Sequence, residues 1–117
     1  MREIFFFKFE SGRSPIEDFL DSLSSKQAQK VAWVLQLIEE LPKVPSQFFQ
    51  KMDGTDDLWE IRISFSSDIF RLYGFYHGPA HFVVVEAIRK KTQKTPRRTI
   101  ATAHKRKSQY LKRQANE

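Results

Sequence analysis

A chain of 117 residues has room for one domain, and 40% hydrophobic with 14% aromatic residues against 29% charged supplies enough core-forming side chains to exclude global disorder. Cysteine is absent, which excludes disulfides and cysteine-ligated zinc as supports for the fold and permits a reducing compartment. The net charge of +6 is unevenly spread: residues 89–117 hold eleven Lys or Arg and one acidic residue, whereas 1–88 hold nine against thirteen.

A basic segment on a mildly acidic body attracts polyanions, so nucleic acid or an acidic partner is favoured; a solvated basic helix face or tail gives the same charge. The start, MREIFFFKFESGR, alternates apolar and charged residues and lacks the long apolar core of a signal peptide. No stretch approaches the roughly 20 apolar residues that span a bilayer. A cytoplasmic location with no membrane partner is expected.

Taken in chain order, residues 2–9 alternate with Phe5, Phe7 and Phe9 on one side, which predicts a strand with one face well buried. Ser14, Pro15 and Glu17 then stand at the cap, first and third positions of a short helix running to about Leu23. Ser24 with Gln27 repeats the capping signal. Ala28, Val31, Leu35 and Ile38, supported by Val34 and Leu41, form an apolar stripe at helical spacing that Pro42 stops. The two helices should form an antiparallel hairpin that needs a sheet to cover it.

Residues 42–56, with Pro42, Pro45, Asp53 and Gly54, read as a loop. Three strands follow, at about 58–63, 69–77 and 82–88, with separations short enough for an antiparallel meander. After the basic, aperiodic stretch 90–99, Ile100, Ala103, Ser108 and Leu111 line a weak final helix. The predicted fold is therefore α+β: one domain over 1–117, an N-terminal strand and helical hairpin packed on one face of an antiparallel sheet, and a basic C-terminal helix within 89–117. The other sheet face is left for a ligand.

Alternation in the strand at 58–63 puts Leu58, Glu60 and Arg62 on one face and Trp59, Ile61 and Ile63 on the core side. In the next strand Phe70, Leu72 and Tyr76 share the core, leaving Arg71, Tyr73 and His77 on the open face with Ile69 and Phe75. Glu60, Arg62, Arg71 and Tyr73 thus converge. A carboxylate between two guanidinium groups is held in position, and the same arginines can neutralise a phosphate whose charge grows in a transition state. By pattern alone, cross-strand ion pairing between exposed side chains is the commoner arrangement.

His77, His81 and His104 have no metal-ligand spacing, so no metal and no cofactor is assigned; His77 and His81 flank a turn. No Gly-rich phosphate loop or nucleophile elbow occurs, against nucleotide hydrolysis and serine-hydrolase chemistry.

Asp57-Leu58-Trp59-Glu60-Ile61-Arg62, Arg71-Leu72-Tyr73 and Lys90-Lys91-Thr92-Gln93-Lys94-Thr95-Pro96 together resemble the phage-derived HigB-like branch of the RelE/ParE toxins. The order of elements agrees over almost the whole chain. One departure is that Glu86-Ala87-Ile88-Arg89 stands where the family often has a histidine, glycine and aromatic, so a family-style histidine is missing there.

The resemblance implies a type II toxin that acts as an mRNA interferase, a ribosome-dependent endoribonuclease in which the substrate's own 2′-hydroxyl attacks the adjacent phosphorus without a metal. Glu60 would act as base, Arg62 and Arg71 as phosphate clamp, and Lys90 or Lys91 would assist the leaving oxygen. Tyr73 would stack on a base or orient the phosphate, and Lys94, Arg97, Arg98, Lys105 and Arg106 of the basic segment would bind RNA. The implied partners are mRNA on the ribosome, ribosomal RNA and an antitoxin with a helix-turn-helix domain. A ParE-like inhibitor of DNA gyrase on the same fold and a noncatalytic RNA-binding module are the alternatives.

Overall fold

The computed structural model describes residues 1–92 and 94–116; Gln93, part of the lysine-rich motif, and Glu117 lie outside the described residues. The elements run β1 (Glu3–Phe6), α1 (Pro15–Asp21), α2 (Ser25–Glu40), β2 (Phe49–Lys51), β3 (Trp59–Phe65), β4 (Asp68–Tyr76), β5 (His81–Lys90) and α3 (Arg97–Ala115). One sheet takes the order β1-β5-β4-β3-β2. The fold is α+β, as predicted.

Local signals explain both helices of the hairpin. The Ser14 hydroxyl accepts from the Glu17 N–H at 3.2 Å with Pro15 in the first turn, and α1 ends at Asp21, two residues short of Leu23. At α2 both arms of a capping box form: the Gln27 N–H donates to Ser24 Oγ (3.2 Å) and the Ser24 N–H donates to Gln27 Oε1 (2.9 Å). The Gln27 amide also donates to Asp68 Oδ2 at 2.8 Å, tying the start of α2 to the start of β4. Val31, Val34 and Ile38 then pack on Ile61, Ile63, Phe70 and Leu72, all fully buried.

Three expectations are corrected. First, the sheet is mixed: β3, β4 and β5 form the antiparallel meander, but β1 pairs parallel with β5, Ile4 opposite Phe82. The helical hairpin and the meander together supply the long connection a parallel pairing requires. Second, the 42–56 stretch contains β2, whose Phe49 is buried and stacks on Trp59 at 4.7 Å. Three residues are too short to show alternation, and the partner β3 defines the strand.

Third, the second sheet face is not wholly open. Phe7, Leu58, Tyr73, Phe75, Val83 and Val85 make an apolar surface there, and α3 covers it with Ala103, Ile100 and Tyr110. Arg106 fixes this helix in place, donating from NH1 to the Val85 carbonyl (2.9 Å) and to Glu86 Oε1 (3.2 Å). What stays accessible on this face is the end of the sheet where β3 and β4 carry charge.

A bulge in β5 decides which side chains reach that end. Tyr73 pairs with Glu86 but Gly74 with Val84, so Val85 is an extra residue. Before the bulge Val83 and Val85 face α3; after it the parity changes, and Ile88 and Lys90 face the same way. Without the extra residue, Lys90 would point into the core beneath α1 and α2. Gly74 makes the arrangement possible, because a Cβ there would strike the Val83 carbonyl oxygen and the Phe82 ring.

Candidate active site

The alternation of β3 sends Trp59, Ile61 and Ile63 into the helical core and Glu60 and Arg62 to the opposite face. Register then brings the partners in: Arg62 stands opposite Arg71, and Glu60 opposite Tyr73. On the next strand Arg71 pairs with Ile88, so Lys90 lies diagonally beside it. Three adjacent strands therefore present Arg62, Arg71 and Lys90 around one carboxylate.

Two like charges directly opposite destabilise a sheet. Here Glu60 lies against both: Oε1 is 3.4 Å from Arg62 Nε and 3.6 Å from Arg71 Nε. The Arg71 side chain is only 4% exposed and also donates from NH1 to the Phe70 carbonyl at 3.0 Å, whereas the Arg62 side chain is 33% exposed. Burial lowers the pKa of the Arg71 guanidinium, and Glu60 opposes that shift. Burial likewise holds the Lys90 ammonium below the ordinary lysine range, again against the pull of Glu60. Tyr73 is pushed up to about 12, chiefly by burial, so its hydroxyl stays protonated.

Thr95 closes the group from the loop before α3. Its Oγ1 is 3.3 Å from Lys90 Nζ, 3.2 Å from the Tyr73 hydroxyl and 3.5 Å from Glu60 Oε2. On the other side Arg62 NH1 donates to Gln50 Oε1 at 3.4 Å, beside an open groove of ≈ 260 Å³ lined by Gln50, Lys51, Met52, Asp53, Glu60 and Arg62. The groove leads from solvent to the carboxylate. Lys51 and Arg62 on the groove wall balance Asp53 and Glu60; the surplus of positive charge belongs to the cluster behind it, where Arg62, Arg71 and Lys90 surround Glu60, the condition for holding a phosphate.

A family model described as Phage derived protein Gp49-like (DUF891) matches residues 18–108, well over half of the chain. The chain belongs to the Gp49-like family. That family is RelE-toxin-like and is associated with toxins of toxin–antitoxin systems, which implies an antitoxin partner. None of the curated proteins compared matches the chain. Glu60, Arg62, Arg71, Tyr73, Lys90 and Thr95 all lie inside the Gp49-like span.

Outside this cluster the predicted site residues of the Gp49-like chain separate into groups. Lys91 is exposed just past the end of β5, while Lys90 is 6% exposed and inside the cluster. Lys94, Arg97, Arg98 and Lys105 are exposed around the start and outer side of α3. Arg106 donates to Glu86 and the Val85 carbonyl and so helps to hold α3 to β5. Stacking of a base on Tyr73 is corrected, because the residue is 1% exposed in the core under α3 and only its hydroxyl reaches the cluster. Phe75, placed with it on the open face, is equally buried.

Sequence reasoning missed Thr95. It stands in an aperiodic basic stretch, and no spacing rule singles out a threonine there. His77 and His81 lie at the turn end of β4 and β5, beside Tyr110 (5.5 Å between ring centres) and Glu3 (4.0 Å) respectively. Among the described residues no group of three or more His, Cys, Asp or Glu is placed to hold a metal ion, and no helix is long and apolar enough to cross a membrane.

Proposed function

We propose that this Gp49-like protein is a toxin of a type II toxin–antitoxin system, of the HigB-like branch, that cleaves mRNA on the ribosome. The observation that carries the reading is a carboxylate within 3.4 and 3.6 Å of two arginines, one half-buried at a groove and one buried, beside a buried lysine on the neighbouring strand. Cleavage of RNA through its own 2′-hydroxyl needs a base, a clamp for the phosphate oxygens and help for the leaving oxygen. These side chains supply all three.

Glu60 takes the 2′-hydroxyl proton as that oxygen bonds to phosphorus. Arg62 and Arg71 hold the non-bridging oxygens as charge grows on them, and Lys90 protonates or electrostatically stabilises the departing 5′-oxygen. The products are a 2′,3′-cyclic phosphate and a 5′-hydroxyl. Every charge that develops is met by a side chain of the cluster, so no step calls for a metal. Tyr73 contributes its hydroxyl to the network, and Lys94, Arg97, Arg98 and Lys105 face ribosomal RNA, where they raise the encounter rate and its salt sensitivity. The antitoxin, carrying a helix-turn-helix domain, masks the groove or the basic face in the cytoplasm.

The test is incubation of purified protein with a defined mRNA, with and without ribosomes, beside a supercoiling assay with DNA gyrase. Cuts at mapped positions only with ribosomes are expected. Inhibited supercoiling without cuts would move the protein to the ParE-like class, and salt-sensitive RNA binding without cuts would leave a noncatalytic module.

A further inference from the structure

The hydroxyl of Thr95 has three polar neighbours and one proton. A hydroxyl offers one donor and two acceptor sites, an ammonium only donates and a carboxylate only accepts. Toward Oγ1 the Lys90 ammonium (3.3 Å) can only donate and Glu60 Oε2 (3.5 Å) can only accept, while the Tyr73 hydroxyl (3.2 Å) can stand as donor or acceptor. One hydroxyl thus links the lysine, the tyrosine and the carboxylate.

The threonine is also held by the chain that follows it. Pro96 follows it, which restricts Thr95 to extended backbone, and Pro96 itself is the residue at the start of α3. Farther along, α3 is fastened to β5 by Arg106 and by buried Ala103. We infer that Thr95 is a positioning residue of the cleavage site, whose hydroxyl fixes the Glu60 carboxylate, the Lys90 ammonium and the Tyr73 hydroxyl in one arrangement before substrate arrives. The inference rests on the ribonuclease reading for the reaction it serves, and on the three contacts for the network itself.

Thr95→Val keeps the shape and removes the hydroxyl; Thr95→Ser keeps the hydroxyl. On programmed ribosomes, T95V should lower the single-turnover rate at saturation by about 10-fold or more, as misplaced catalytic groups do, while the half-saturating concentration changes by less than about twofold. T95S should recover most of the loss. A T95V rate equal to or above that of the wild type overturns the inference, the faster case meaning that the hydroxyl occupies the seat of the substrate's own. Equal losses in T95V and T95S overturn it as well.

A second readout does not depend on cleavage. The hydroxyl accepts from the charged form of Lys90 and so favours it; in T95V the Lys90 titration followed by NMR should move to lower pH. An unmoved titration overturns the network. Wild-type protein that never cuts removes the ribonuclease reading, and the assignment to a cleavage site with it, whereas wild-type cutting with unimpaired T95V removes only the assignment.

Discussion

Glu60→Gln is expected to slow mRNA cleavage on programmed ribosomes by about 10²- to 10⁴-fold, the range a general base contributes. Glutamine keeps the size of the side chain but cannot take the 2′-hydroxyl proton. The substitution also leaves Arg62 and Arg71 directly opposite each other without the intervening anion, so some loss of stability should accompany the loss of rate. Ribosome binding should persist, since the exposed cations of α3 are untouched. A thermal melt and a ribosome co-sedimentation assay separate these effects. Cleavage by a folded E60Q protein at the wild-type rate would take Glu60 out of the mechanism.

The pH profile adds a sign. Burial disfavours the charged Lys90 ammonium and Glu60 favours it. An ammonium that must be protonated to assist the leaving oxygen then loses its proton at lower pH than an ordinary lysine. The alkaline limb of the rate should lie below the ordinary lysine range, and in E60Q, with the opposing charge removed, lower still.

Arg71→Ala should cost on the order of 10²-fold in rate, by analogy with the loss of one preorganised oxyanion donor. Its side chain is 4% exposed, so water cannot easily take its place, and it is anchored both to Glu60 and to the Phe70 carbonyl. Lysine should be a poor substitute, because a point charge lacks the fork that contacts carboxylate and phosphate together. Single-turnover cleavage with saturating R71A measures the effect apart from binding. An unchanged rate would assign the phosphate clamp elsewhere.

Much of the site was legible before the structure. Strict alternation through Trp59-Glu60-Ile61-Arg62-Ile63 fixes which side chains leave the core, and the short connection to the next strand makes Arg71 a neighbour of Arg62. The caps at Ser14 and Ser24 work because their partners are three residues away. What escaped depends on contacts distant in sequence. Nothing in His81–Lys90 announces the bulge, yet it decides that Lys90 joins Arg71 while Lys91 stays outside. Phe75, Val83 and Val85 lie on a face that looks open until α3 is placed on it, and that placement gives Arg106 a fastening contact with the Val85 carbonyl that its sequence position does not announce. The parallel pairing of β1 and the three residues of β2 are likewise set by their partners.

The central claim is attack by the substrate's own 2′-hydroxyl, assisted by Glu60 and clamped by Arg62 and Arg71. The most direct measurement places a single 2′-deoxynucleotide on the 5′ side of a mapped cut in an mRNA bound to ribosomes. Cutting should stop at that position and continue at unmodified sites, leaving 2′,3′-cyclic phosphate and 5′-hydroxyl ends there. Cutting at the deoxy position at the unmodified rate would mean that water or a protein group is the nucleophile, and would contradict the account.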